Sequence, residues 1–308
     1  MKSLILIFNN AIVFALAMFL LIGCNPKNDN DTKQLEYKML SDVEERGLHG
    51  SVRELVTLQS NFKVLKDTIV YEEPYGGDKY LFNTNGYFSE AIFNMAGYKS
   101  TRSYGGTQVV THHYDSTGLL EFTISKYVHG KNRNKTKKTF EYDSLGRLER
   151  TRTISDDDYK TDRYKMSIFK YDARHNRILT QFFEGFSSLR LESYMKSAYD
   201  DQNREIGYSR FDDEGNARYR LRIDYQNEGT KEVWTEFDSD SNVVSLTEIL
   251  HDAKGLEKSS EKFDKNGVLT EEVRYEYEFD KMGNWTVKRR FQNSLPSYCL
   301  RREIAYWE

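Results

Sequence analysis

Proline is scarce in this chain. It occurs three times in 308 residues, at Pro26, Pro74 and Pro296. A proline supplies no amide hydrogen to a ladder, so the long stretch between Pro74 and Pro296 is open to central strands. Cysteine is rarer still, with only Cys24 and Cys299, which excludes a framework of several disulfides. Hydrophobic residues make up just 38% of the chain, against 14% aromatic and 30% charged. That composition does not suit a thick helical core and favours a sheet whose large rings supply burial beneath charged neighbours. A formal charge of −3 gives no reason to expect nucleic acid as a partner. Nucleophile elbow, P-loop and dinucleotide fingerprint are all missing, and the carboxylates are spread too evenly to nominate a catalytic pair. No cofactor, metal or enzymatic activity is therefore expected.

What the chain has is a repeat. Tyr199, Phe211, Tyr225, Phe237, His251, Phe263 and Phe279 each begin a turn-like tetrad, and the steps between them run 12, 14, 12, 14, 12 and 16. Typical copies are Phe211-Asp-Asp-Glu-Gly215, Phe263-Asp-Lys-Asn-Gly267 and Phe279-Asp-Lys-Met-Gly283. Aspartate opens a type I turn by accepting from the backbone two residues on, and glycine closes it at positive φ. Such a turn makes the bulged hairpin loop that matches strand twist. Removing four turn residues leaves strands of about 8 to 10 residues. On one face Tyr219, Leu221, Ile223 and Tyr225 then alternate with Arg218, Arg220, Arg222 and Asp224 on the other, the signature of a half-buried antiparallel meander. The even-numbered Val244, Leu246 and Leu250, together with Trp234, imply that apolar groups also cover the second face.

In chain order, residues 1–23 form a signal peptide, with Lys2 before an apolar run that ends in Leu21-Ile22-Gly23-Cys24. This ending resembles the lipobox of bacterial lipoproteins, which implies diacylglyceryl transfer to Cys24 and cleavage before it. An uncleaved anchor helix is the alternative, and the uninterrupted apolar part is short for a span. Residues 24–33 read as the lipidated cysteine and a flexible tether, and 34–308 as one β domain. Gln34 to Arg46 is a plausible short helix, and Gly47 to Val56 an approach into the first strand. Farther on, Tyr114, Tyr142, Tyr171 and Tyr199 recur 28, 29 and 28 residues apart. Cys299 is expected within a strand. Some sixteen to eighteen strands exceed what an open sheet carries flat, so an all-β sequential antiparallel meander in a curled or spiralling sheet is expected.

The fullest copy, Tyr142-Asp-Ser-Leu-Gly-Arg147-Leu148, resembles the heart of the YD or Rhs repeat. The ending Asp280-x-x-Gly-Asn-Trp285 through Arg302-Glu-Ile304 resembles short YD-repeat lipoproteins of the Bacteroidetes envelope, over roughly residues 80–308. The resemblance implies long strands wrapped in a spiralling sheet, an outer-membrane lipoprotein facing the periplasm or the cell surface, and binding of a carbohydrate or envelope component. A glycan-active enzyme whose site forms only in three dimensions is one alternative, and an immunity or toxin-neutralising lipoprotein another. The expected partners are the membrane, through the lipid, and a glycan or envelope protein.

Individual residues add little chemistry. His112 and His113 are neighbours on a strand, so they point to opposite faces and cannot chelate together. Asp238-Ser-Asp-Ser-Asn242 opens like a calcium loop, but Val243 stands where glycine is needed and Ile249 where the bidentate glutamate belongs. The acidic run 156–158 reads as a solvated hairpin tip. Trp234, among polar residues, is a candidate ring for stacking on a sugar, its alternative role being to cover the second face. Thr68, Ser116 and Ser144 each follow an aspartate and resemble O-glycosylation sequons of Bacteroidetes envelope proteins.

Overall fold

The computed structural model describes residues 40–308 apart from Asp67, 94–105, 130–131, 157–162 and 187. The signal peptide, Cys24, the tether and the acidic tip at 157–158 lie outside these residues. The chain begins with the short helix α1 (Asp42–Glu45), then β1 (Val52–Ser60) and a small hairpin, β2 (Phe62–Leu65) and β3 (Thr68–Tyr71). There follow β4 (Gly76–Phe82), β5 (Phe88–Phe93), β6 (Thr107–Tyr114), β7 (Leu120–His129), β8 (Asn132–Tyr142) and β9 (Leu148–Asp156). Next come β10 (Arg163–Tyr171), β11 (Arg177–Gly185), β12 (Arg190–Tyr199), β13 (Glu205–Asp212), β14 (Ala217–Gln226) and β15 (Lys231–Phe237). The last are β16 (Val243–His251), β17 (Glu257–Asp264), β18 (Leu269–Phe279), β19 (Trp285–Gln292) and β20 (Leu295–Tyr306).

From β4 to β20 each strand pairs antiparallel with the next, as the meander pattern requires. β1 then pairs antiparallel with both β4 and β20, so Leu55 lies opposite Tyr80 on one side and Ile304 on the other. Eighteen strands thus form a closed barrel, which corrects the expectation of a curled or spiralling open sheet. The reason lies in β1. Val52, Leu55, Val56, Leu58 and Ser60 are all buried, so this strand has apolar groups for both faces and fits between the first and last strands of the meander. Closure leaves the main sheet with no unpaired edge.

The tetrads are the turns expected of them. Asp115, Asp143, Asp200, Asp252 and Asp280 each accept at Oδ1 from the backbone two and four residues on. Positive φ at the fourth position is met by glycine in most copies, including Gly146 at φ 77°. His175, Asn203 and Ser241 occupy that position at φ 67°, 62° and 66°. Each such turn inserts a bulge, as between Lys170 and Tyr171. The bulges shift parity, so odd and even numbering does not identify faces around the whole barrel; register does.

Followed around the barrel, register places Leu55, Tyr80, Ala91, Val110, Thr123 and Lys138 on one face. On β9, β14 and β18 this face is the more enclosed, whereas on β1 and β19 the β2–β3 hairpin buries residues of the other face. Thr151, Leu221 and Val273 are buried on it, while their neighbours Arg152, Arg222 and Arg274 are exposed. That is the inner side of a closed sheet. Most inner side chains stay half-buried, so the interior is wetted rather than filled, in keeping with a ring of this many strands.

Packing is concentrated around β1. A capping box between Ser41 and Glu44 starts α1. Val43 and Leu48 then pack on Val52, Leu55, Tyr80, Phe82 and Ala91 on the enclosed face. On the outer face the β2–β3 hairpin covers Phe291 and Cys299, with the rings of Phe62 and Phe291 edge-on at 5.2 Å. Cys299 is a strand residue, fully buried, and burial pushes its thiol up from the usual range.

Candidate ligand cleft on the enclosed face

Four adjacent strands, β11 to β14, build a cleft of about 820 Å³. Its apolar floor comes from Phe182, Met195, Tyr208 and Tyr219, and its polar edge includes Glu192, Ser193, Arg210, Asp212 and Arg218. Register brings the floor together. Met195 lies opposite Arg210, Arg210 opposite Tyr219, and Phe182 opposite Ser193. The rings of Tyr208 and Tyr219 sit 5.7 Å apart, tilted by 38°.

Polar groups fix this arrangement. The Tyr219 hydroxyl donates to Glu236 Oε1 at 3.4 Å, and Ser245 Oγ donates to Glu236 Oε2 at 2.6 Å. Lys262 Nζ stands 3.5 Å from the same carboxylate. The Ser245 hydrogen bond leads the effects that hold Glu236 below the usual carboxylate range, despite burial. Burial, with the Glu236 charge behind it, pushes the Tyr219 phenol above its usual value, so it stays protonated as a donor. Asp212 is occupied by the turn: Oδ1 accepts from the amides of Glu214 and Asn216, and Oδ2 from Asn216 Nδ2 and Arg218. A carboxylate so engaged, and held below its usual range, is poorly suited to act as a general acid.

The residues singled out in the sequence fall in several places. Trp234 lies opposite Ile223 and Thr247 on the enclosed face, half-buried, with Nε1 donating to Glu232 Oε2 at 2.8 Å. It does not share a face with Leu246 and Leu250, which are outward. Thr68, Ser116 and Ser144 are exposed at hairpin tips. His112 turns inward beside Phe88, and His113 outward, stacked on Phe122 at 4.3 Å. The Asp238 carboxylate accepts from the amides of Asp240 and Asn242 and from Asn242 Nδ2, so it closes a turn. Tyr208, Tyr219, Arg210 and Phe182 carried no sequence signal of their own. Their alternation was visible, but their meeting depends on bulges and pairing across four strands.

A second cleft of about 750 Å³ opens at the end of the barrel that α1 covers, lined by Arg46, His49, Lys254, Phe279 and Trp285 among others.

The outer face bears on how the barrel meets a membrane. Its successive positions on β14 are Arg220, Arg222 and Asp224, and on β18 Glu272, Arg274, Glu276 and Glu278. At about 6.7 Å per outward step, four such positions cover some 20 Å, most of the height of the apolar band that a lipid-spanning barrel presents. The enclosed face carries Glu232, Glu236, Lys262 and Lys288. On β14 and β18 the outer face offers no apolar band for hydrocarbon.

No family model matches the chain, and no curated protein matches it. Among solved structures it is similar to a porin-like protein from Bacteroides uniformis, at 10% identity and TM-score 0.42, covering 82% of this chain and 96% of that one. A porin-like protein from Bacteroides vulgatus is similar at 11% identity and TM-score 0.29, covering 71% and 98%. The Photorhabdus luminescens Tc holotoxin pore is similar at 12% identity and TM-score 0.19, covering 70% of this chain and 15% of that one. The resemblance to YD-repeat lipoproteins, with the spiralling open sheet it implies, is corrected by the fold itself: the sheet closes on itself in eighteen strands, and the tetrads serve as its turns.

Proposed function

We propose that this chain is an envelope barrel, held at a membrane by lipid on Cys24, that binds a glycan on its enclosed face. The observation that carries this reading is the cleft over β11 to β14, where half-buried rings lie beside hydrogen-bonding groups. Sugars present C–H faces that settle on aromatic rings and hydroxyls that need polar partners at the edge, and Tyr208 and Tyr219 with Arg210 and Ser193 offer both. Trp234, farther round the same face, extends the aromatic track. The charged outer face keeps the barrel in water, so attachment falls to the lipid, with the barrel facing the periplasm or the cell surface.

A glycan array probed with the mature protein tests the reading. Binding to a defined subset, lost in Tyr208→Ala and Tyr219→Ala at unchanged circular dichroism, is the expected result; an array without binders overturns it. Labelled palmitate should enter the wild type and be absent from Cys24→Ala. Intact-mass measurement of protein from its native host addresses the modification proposed at Thr68, Ser116 and Ser144: glycan-sized increments should disappear in Ser116→Ala and Ser144→Ala, and a mass of polypeptide plus lipid alone rejects it.

A further inference from the structure

The α1 end of the barrel holds a guanidinium with no counterpart. Arg302 of β20 stands on the enclosed face, opposite Thr57 of β1, with its guanidinium carbon 3.4 Å from the centre of the Trp285 ring. Nε is shut away from solvent without a hydrogen-bond partner. Among the described residues no ion pair involves Arg302, although it is half-buried and an arginine taken out of water is usually paired with a carboxylate. Arg290, by contrast, is only a few residues distant on the same face and has Glu271 at 2.6 Å.

Further cations converge on this end. Arg46, which caps α1, lies over the rings of Tyr80 at 4.1 Å and Phe88 at 4.9 Å. Lys288 of β19 lies over Tyr275 at 4.1 Å. Lys254 sits 3.5 Å from the Phe279 ring at the mouth of the cleft. Burial, and then the charge of Arg46, bring Arg302 down to about 10. Lys288 is lowered by burial, with Arg302 and Arg290 opposing the help of Glu257. Glu45 is a carboxylate in the cleft lining, raised by burial and then by Asp42, and no ion pair between it and Arg302 or Arg46 occurs among the described residues. Asp42 itself accepts from the Phe88 amide at 2.7 Å.

A cation held on an aromatic face rather than on a carboxylate, as Arg302 is on Trp285, keeps N–H donors for another anion. A guanidinium offers a planar fork that an oxyanion can meet with two parallel hydrogen bonds, and burial strengthens them. Trp285 joins the parts, since it lines the 750 Å³ cleft and carries Arg302 against its ring. We propose that the α1 end of the barrel is a binding site for an anionic group, a carboxylate, sulfate or phosphate borne on a small ligand, with Arg302 and Arg46 as its donors and Trp285 as its platform. The site rests on different residues from the glycan cleft.

The mature protein is titrated with sodium glucuronate, inorganic sulfate and inorganic phosphate in turn, against sodium chloride at equal ionic strength, by calorimetry and thermal unfolding. At least one oxyanion should bind with one-to-one stoichiometry and raise the unfolding midpoint above the chloride control; the arm that does so identifies the group. Arg302→Met and Arg46→Met should each weaken that binding by about tenfold or more, whereas Tyr208→Ala should leave it unchanged. No midpoint shift with any of the three in the wild type overturns the proposal without recourse to a variant. So does oxyanion binding that survives both arginine substitutions. Loss of glycan binding in Tyr208→Ala alongside intact oxyanion binding separates this site from the one on β11 to β14.

Discussion

Tyr277 donates its hydroxyl to the main-chain carbonyl of Glu257, 20 residues earlier, at 2.9 Å. The same relationship recurs from Tyr225 to Glu205, Tyr199 to Arg177, Tyr171 to Leu148, Tyr142 to Leu120 and Tyr114 to Phe88, at 2.8 to 3.2 Å. Each tyrosine lies within two residues of the end of its strand, and the carbonyl it reaches begins the strand before. The bond therefore ties two neighbouring turns at the α1 end that the chain itself connects only at the opposite end. This sets the period over six pairs of strands, each with one such tyrosine, while His251 stands at the end of β16 in its place.

A single hydroxyl should then be measurable. Tyr142→Phe keeps the ring and removes the bond to Leu120, leaving a partly buried carbonyl without that donor. A loss of about 0.5 to 1.5 kcal/mol is expected, read as a lower urea midpoint at unchanged slope. An unaltered midpoint would show that the ring alone ties the turns together.

Backbone conformation supplies a test of opposite sign. Ser241 holds φ 66° in the turn between β15 and β16, where Gly146 holds φ 77° in its own. Ser241→Gly relieves a left-handed serine and should raise stability by a few tenths of a kcal/mol to about 1. Gly146→Val forces a β-branched residue into the same region and should cost about 1 to 2 kcal/mol. Thermal unfolding of the pair should move in opposite directions.

These turns were legible in the sequence because an Asx turn is local: Asp143, Gly146 and the amides they need lie within five residues. The strand count followed from the same spacing. Closure was not legible, since Leu55 meets Ile304 across most of the chain and no periodicity reports such a pairing. Trp234 was assigned to a face by counting residues, and the bulges at the turns defeat counting. The spacing pointed to Phe279 as the final anchor, whereas Tyr277, two residues earlier, makes the hydrogen bond. Arg302 drew notice in the sequence only as part of the closing Arg302-Glu-Ile304 stretch; its place beside Trp285 is what marks it.

His112 should couple stability to pH. It faces inward 5.5 Å from the Phe88 ring, with Nδ1 buried and unpartnered. Burial, and then His113, lower it from 6.5 to about 4. Between those values the unfolded chain takes up a proton that the folded chain does not, so stability falls as pH drops from 6.5 toward 4. His112→Gln should flatten that part of the curve in urea titrations at a series of pH values. An unchanged slope would place the titration elsewhere.

The last prediction concerns Asn284, 2% exposed, in the turn before β19. Its side chain accepts from the His49 amide at 2.7 Å and donates to the His49 carbonyl at 2.9 Å and the Tyr306 hydroxyl at 2.7 Å. Tyr306 in turn donates to Asp280 at 2.5 Å. One amide thus joins the segment leading into β1, the turn between β18 and β19, and the end of β20, where the barrel closes. Asn284→Ala would strand two backbone groups at once. Three hydrogen bonds are lost at about 0.5 to 1.5 kcal/mol each, so a loss of about 2 kcal/mol is expected. Asn216 holds the equivalent position in an exposed turn, where its side chain serves Asp212 and Glu214; Asn216→Ala should cost well under half as much. Because His49 and Gly283 line the cleft beside Trp285, loosening this junction should also weaken oxyanion binding at the α1 end while sparing the cleft on β11 to β14. Equal losses for the two alanine variants would mean that Asn284 serves only its own turn.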